Sequence, residues 1–214
     1  MKQGTSANRT GDPGERLAEH LIVFYWRGQT GLDDPPLARF YAIAEERLRR
    51  HVIEFMGRSL GNTEGELEEE IRTLFGKFWA RRTEAAQQSG GYGELVPFGW
   101  CFGSGKLDER WGIEQVLAVL RVTKRIEPDF LVLERCEDLV SRRPQEIVEC
   151  LRHMVEGSRE SWEMLGWRER LERILRSALK GTDEKAHKAA VELINLLGAR
   201  GHVGFRDLLD DAAR

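Results

Sequence analysis

Gly57-Arg58-Ser59-Leu60-Gly61 carries the G-x-S-x-G spacing of a nucleophile elbow. That device needs a strand before the serine and a helix after it, so that a sharp turn holds the hydroxyl clear for attack on a carbonyl. Here the residues before Gly57 repeat their apolar positions every three or four, as a helix does. Ser59 therefore reads as a polar residue at a helix C-terminus, and a hydrolase is the last of three functional readings. Cys136, Cys150 and His153 are metal-ligand types, and Cys150 and His153 lie three apart on one helix face. Zinc takes four protein ligands in structural sites and three with a water in catalytic ones. No fourth ligand is evident, and neither C-x-x-C nor H-E-x-x-H occurs, so the cysteines read as small buried hydrophobes. His20, His51, His187 and His202 scatter over separate elements. No metal, cofactor or catalytic residue is expected.

Two glycine runs, Gly90-Gly91-Tyr92-Gly93 and Gly103-Ser104-Gly105, lack the context of a phosphate cradle. Lys106 follows the second run, but Leu107 stands where a P-loop has Ser or Thr. Both read as hinges. Glu64, Glu66, Glu68, Glu69 and Glu70 fall at an expected helix start, where the dipole favours negative charge. The aromatic residues are more informative. Trp100, Phe102 and Trp111 bracket one expected loop, and Trp162 and Trp167 bracket another. Arg168, Arg170, Arg173 and Arg176 lie next to the second pair. Tryptophan and arginine are enriched at binding hot spots. Phe24, Trp26, Trp100, Trp111, Trp162, Trp167 and Arg168 are therefore the candidate partner contacts, with core packing as the alternative for each. The same residues would suit stacking on nucleic acid. Against that, Glu169–Arg173 and Glu172–Arg176 are i,i+4 pairs that neutralise the face.

The elements that must position these side chains are helical. Of 214 residues, 41% are apolar and 32% charged, which suits a globular chain that folds without disulfides or metal. Residues 1–107 carry net charge −1 and the remainder −2, so neither half is basic enough for a general nucleic-acid or membrane-surface role. Arginine outnumbers lysine 26 to 7, which base composition of the gene explains. Three cysteines suit a reducing compartment, and a cytoplasmic location is expected. The longest strongly apolar run, Leu21 to Trp26, is far short of a bilayer span.

Residues 1–13 read as a loose tail, and Asp12-Pro13 as a helix start. Helices are expected over 14–27, over 35–57 with a bend near Ala42–Ala44, and over 63–88. The pairs Glu45–Arg49 and Glu46–Arg50 support the second of these. The run at 89–93 marks a subdomain boundary, dividing 14–88 from 94–210. Beyond it helices are expected over 94–103, 108–123, 129–141, 144–156, 167–180, 183–198 and 204–210. No run alternates long enough for a strand. Leu21-Ile22-Val23-Phe24-Tyr25-Trp26 covers every side of its helix. Either the neighbouring helices bury it from both sides, or another chain does, and self-association through 14–60 is expected.

The helix pairs beginning near 108, 144 and 183 recur every 36 and 39 residues, a spacing that suits helical-hairpin repeats. Thr182-Asp183-Glu184-Lys185-Ala186-His187-Lys188-Ala189-Ala190-Val191-Glu192-Leu193-Ile194-Asn195-Leu196-Leu197 resembles the second helix of a HEAT repeat, with His187 standing where that family has a basic residue. The stretch from Phe98-Gly99-Trp100-Cys101-Phe102 through Leu151-Arg152-His153-Met154-Val155 also resembles helical segments near the ends of large bacterial multidomain proteins. The resemblance implies an all-α fold, a helical bundle followed by HEAT-like helix-pair repeats in an α-solenoid. It implies a non-enzymatic scaffold that binds a protein partner, as the tail of a larger system. A nucleic-acid-binding helical repeat is the alternative.

Overall fold

Eleven α-helices follow one another in the computed structural model, which describes residues 12–26, 35–158 and 161–212, the side chains of 35, 161–163 and 211–212 excepted. They are α1 (Pro13–Trp26), α2 (Pro35–Ile43), α3 (Glu46–Gly61), α4 (Glu69–Ser89), α5 (Phe98–Gly103), α6 (Glu109–Thr123), α7 (Asp129–Leu139), α8 (Pro144–Gly157), α9 (Ser161–Lys180), α10 (Glu184–Ala199) and α11 (Asp207–Ala212). Short 3-10 turns occupy Tyr92–Leu95 and Val203–Arg206. Among the described residues there is no strand, and no helix is long and apolar enough to cross a membrane. The fold is all-α.

Several helix starts are fixed by the residues expected to fix them. Asp12 accepts a 2.7 Å hydrogen bond from the Gly14 amide as Pro13 opens α1. Asp108 accepts from the Trp111 amide before α6, and Asp183 accepts from the Lys185 and Ala186 amides before α10. Each bond satisfies an amide that has no partner inside its helix. The rest of the expected tail, 1–11, lies outside the described residues.

Three expected boundaries are corrected. The helix over 35–57 is two helices, because Glu45 is extended (φ −67°, ψ 158°) between α2 and α3. Nor does α3 stop at Gly57; it runs to Gly61. Thr63 then donates to the Ser59 carbonyl, so it finishes α3 rather than starting α4, which begins at Glu69. The third change is α9, which starts at Ser161, six residues before the expected 167. Ser161 to Trp167 is helix and not loop.

Packing links most of the helices to their second neighbours. α1 rests on α3, α3 on α5, α5 on α7, α7 on α9 and α9 on α11, while α6 rests on α8 and α8 on α10. Contacts from α5 to α6, α7 to α8 and α9 to α10 join the two rows. The core between them is apolar: Phe98, Leu120, Val132, Leu151, Leu171 and Ile194 are all essentially inaccessible. Burying such side chains is worth about 1.5–3 kcal/mol each. Small residues on α10, Ala186 and Ala190, are fully covered and let α10 approach its neighbours.

Among the described residues one charged side chain is drawn inside. Glu94, 3% exposed, meets Arg49 of α3 at 3.4 Å and Arg82 of α4 at 3.2 Å. Arg82 also lies 4.1 Å over the Tyr41 ring. Arg50 donates to the Gly93 carbonyl (2.8 Å) and to Glu127 (2.6 Å). The expected Glu45–Arg49 and Glu46–Arg50 pairs are thus replaced by contacts between distant segments, and for Arg49 the partner is a buried carboxylate that needs a counter-charge.

Candidate functional site

Aromatic and charged side chains gather in a cleft of about 430 Å³. Its walls come from α3 (Glu54), α5 (Trp100), the connection 124–128, the start of α7 (Asp129 and Phe130), the end of α8 (Met154 to Ser158) and α9 (Trp167). Two close approaches hold these walls together. At Gly57, mid-α3, a Cβ would come within 2.5 Å of Trp100 Cβ and 2.6 Å of the Cys101 amide nitrogen. Only glycine lets α5 lie that near, and the result sets Trp100 beside Arg58, whose guanidinium stands 4.4 Å over the indole. At Gly157 a Cβ would fall 1.9 Å from the Lys124 carbonyl oxygen. That contact presses the end of α8 against the connection.

Lys124 caps α6 with a positive φ of 55°, a conformation that costs a non-glycine residue about 1–2 kcal/mol. Its ammonium is held in return, donating to Glu156 (2.8 Å) and to Nδ1 of His153 (2.6 Å). The Lys124 hydrogen bond, with a second from Arg152, draws the Glu156 carboxyl down to about 2. Trp100 and Phe130 meet edge-on, with ring centres 6.4 Å apart. Phe130 is 55% exposed, on the opposite side of α7 from the stripe Val132, Leu133, Cys136 and Leu139 that the core takes. Trp167 is 7% exposed, and its indole donates to Asp129 at 2.7 Å.

The expected partner contacts divide. Trp100 and Trp167 come together at the cleft, though Trp167 is buried rather than part of an exposed ridge, because α9 begins upstream and turns the ring inward. Trp111 packs edge-on against Phe75 and Phe98, with centres 6.0 Å away in each case. Trp26 packs on Phe75, and Tyr25 donates to the Leu74 carbonyl of α4. The neighbouring helices therefore cover much of the 21–26 run, while Phe24 stays 48% exposed. Trp162 has its side chain outside the described residues. Arg168 is exposed and bonds Glu172 at 2.9 Å.

The arginines near Trp167 are neutralised, but across helices more than along one. Arg170 reaches Glu134 and Glu137 of α7, and Arg173 reaches Glu137 at 2.5 Å, against 4.0 Å to Glu169. Arg173 holds the Glu137 carboxyl below its ordinary range.

Other chemistry is spoken for. The Ser59 hydroxyl donates to the Phe55 carbonyl within α3, with no strand before it. Cys101, Cys136 and Cys150 are buried free thiols, and burial pushes each up, Cys136 to about 12. His153 faces Lys124 and Glu156. Among the described residues, no three His, Cys, Asp or Glu side chains are grouped to hold a metal.

Sequence reasoning missed Asp129, Phe130 and Glu127. Pro128-Asp129 was legible only as a helix start, yet an aromatic residue off the apolar stripe of its own helix was a readable signal at Phe130. Comparison of the chain with family models, with curated proteins and with solved structures returns no match in any of the three.

Proposed function

We propose that the chain is a non-enzymatic helical scaffold of the HEAT-like, helix-pair type, an α-solenoid, and that it binds a protein partner in the cleft at Trp100 and Phe130. Stacking on second neighbours from α5 to α11 supports the repeat reading. The observation that carries the binding reading is Phe130, a large aromatic ring left more than half exposed and propped edge-on against Trp100 inside a concave surface. Exposed aromatics in pockets are what partner proteins anchor on. Nucleic acid fits less well, because the arginines that would meet phosphates are paired with carboxylates of the same chain.

In-cell photocrosslinking tests the proposal. A photoreactive amino acid replaces Phe130 in one variant and the exposed Glu114 of α6 in another. A discrete protein adduct at 130, lacking at 114 and lost when Trp100→Ala is added, is the expected result. An equal yield at both positions, or an adduct that nuclease removes, overturns it.

A further inference from the structure

We infer that the cleft seats an arginine side chain of the partner protein, with its guanidinium on Asp129 between the aromatic rings. This rests on the proposal that the cleft is the partner site. The charged side chains lining it are Glu54, Lys124, Arg125, Glu127 and Asp129. Glu54 pairs with Arg58, Lys124 with Glu156, and Glu127 with both Arg50 and Arg125. Among the described residues Asp129 is the lining group with no ion pair. Its two oxygens accept from neutral donors, the Trp167 indole at 2.7 Å and the Phe130 amide at 2.7 Å. Each oxygen keeps a further acceptor position.

The surroundings select the cation. Phe130 and Trp167 line the same cleft as the carboxylate, and Trp100 stands edge-on to Phe130. A cation over aromatic faces, desolvated beside a carboxylate, gains from both. Trp100 already carries one guanidinium, that of Arg58. Arginine suits the site better than lysine, because its planar fork can stack on a ring and present two parallel donors to a carboxylate. The volume, about 430 Å³, lies within the roughly 300–1,000 Å³ of ligand pockets and admits a side chain with some flanking backbone.

The test is a titration of the full chain, followed through the tryptophan indole N–H signals by NMR. The probes are acetyl-Gly-Arg-Gly-amide and its lysine, citrulline and glutamate counterparts, with agmatine as a free guanidine. The arginine peptide should shift the Trp167 and Trp100 signals saturably at millimolar concentration. Citrulline keeps the shape without the charge and should bind about tenfold more weakly, the worth of one charge-assisted pair. Asp129→Asn keeps an acceptor for Trp167 and should reduce arginine binding to the citrulline level. Phe130→Ala, which removes an exposed ring, should weaken it with the melting temperature unchanged. Equal binding of citrulline or of the lysine peptide, undiminished binding by both variants, or no saturable shift overturns the inference. Agmatine binding as tightly as the peptide overturns the assignment to a protein partner. A crosslinked protein at 130 without arginine binding leaves the scaffold proposal standing and removes this one.

Discussion

The indole of Trp167 donates a 2.7 Å hydrogen bond to the Asp129 carboxylate, tying the second turn of α9 to the first residue of α7. The two residues are 38 apart in the chain. The bond does for the helix stack what an apolar contact cannot: it fixes a direction, so the Trp167 ring lines the cleft in one orientation.

Trp167→Phe removes the donor and leaves a carboxylate oxygen without its partner. A hydrogen bond to a charged group is worth about 1.5–3 kcal/mol, and a loss of that size is expected in urea unfolding. Asp129→Asn, which keeps an acceptor, should cost less. An equal loss in both variants would show that the N–H···O contact is not the source.

Two glycines in helix interiors should respond with opposite sign. Gly57→Ala drives a Cβ into backbone atoms of α5, which cannot step aside, and should destabilise by about 1–3 kcal/mol. Gly76→Ala, in α4, meets nothing within 4 Å and should stabilise by about 0.5–1 kcal/mol through lower backbone entropy in the unfolded chain. Thermal melts of the two variants decide the matter, and shifts in the same direction refute the packing assigned to Gly57.

Glu156 makes stability depend on acid. Its carboxyl is drawn from 4.5 down to about 2 by Lys124 and then Arg152. A group whose folded pKa lies below its unfolded one stabilises above the unfolded value and loses that stabilisation as pH falls through the folded one. The difference in urea midpoint between the wild type and Glu156→Gln should therefore hold at neutral pH, shrink below about 4.5 and vanish near 2. A difference constant across that window would assign the effect to shape rather than charge.

The three thiols should be slow to react. They are buried, with their pKa values pushed up, so little thiolate is present at mildly alkaline pH. Dithionitrobenzoate should titrate three equivalents only after unfolding, and EDTA should leave the melting temperature unchanged. Rapid modification of native protein at one thiol would contradict the packing around it.

Leu17 and Phe24, seven apart on one side of α1, remain half exposed. Contiguous apolar surface favours association. Light scattering should give a mass above 24.6 kDa that falls to the monomer value in Phe24→Lys. A monodisperse species of 24.6 kDa in the wild type excludes self-association through this stripe.

Helices α6, α7, α8 and α10 were legible because each carries its own start signal and one apolar stripe, whereas α9 was expected six residues too late. Asp108, Pro144 and Asp183 open α6, α8 and α10 within a residue of expectation. What sequence could not supply was the second partner of each group. Gly57 looks like a helix end when only its own segment is read; the reason for it, the α5 backbone, lies 43 residues on. Arg49 and Arg50 each have a glutamate four residues back, yet turn to Glu94 and to Glu127. Spacing along one helix cannot rank such local pairs against distant ones. The cleft is hidden for the same reason, since its walls come from five helices and a connection.

Stacking on second neighbours also decides how the molecule responds to force. Load applied between α1 and α11 passes through the α1–α3, α3–α5, α5–α7, α7–α9 and α9–α11 contacts and, beyond α5, also through the parallel row α6–α8–α10. Extension should thus proceed in small steps, with the cleft, which spans several of those contacts, changing width before any helix unfolds.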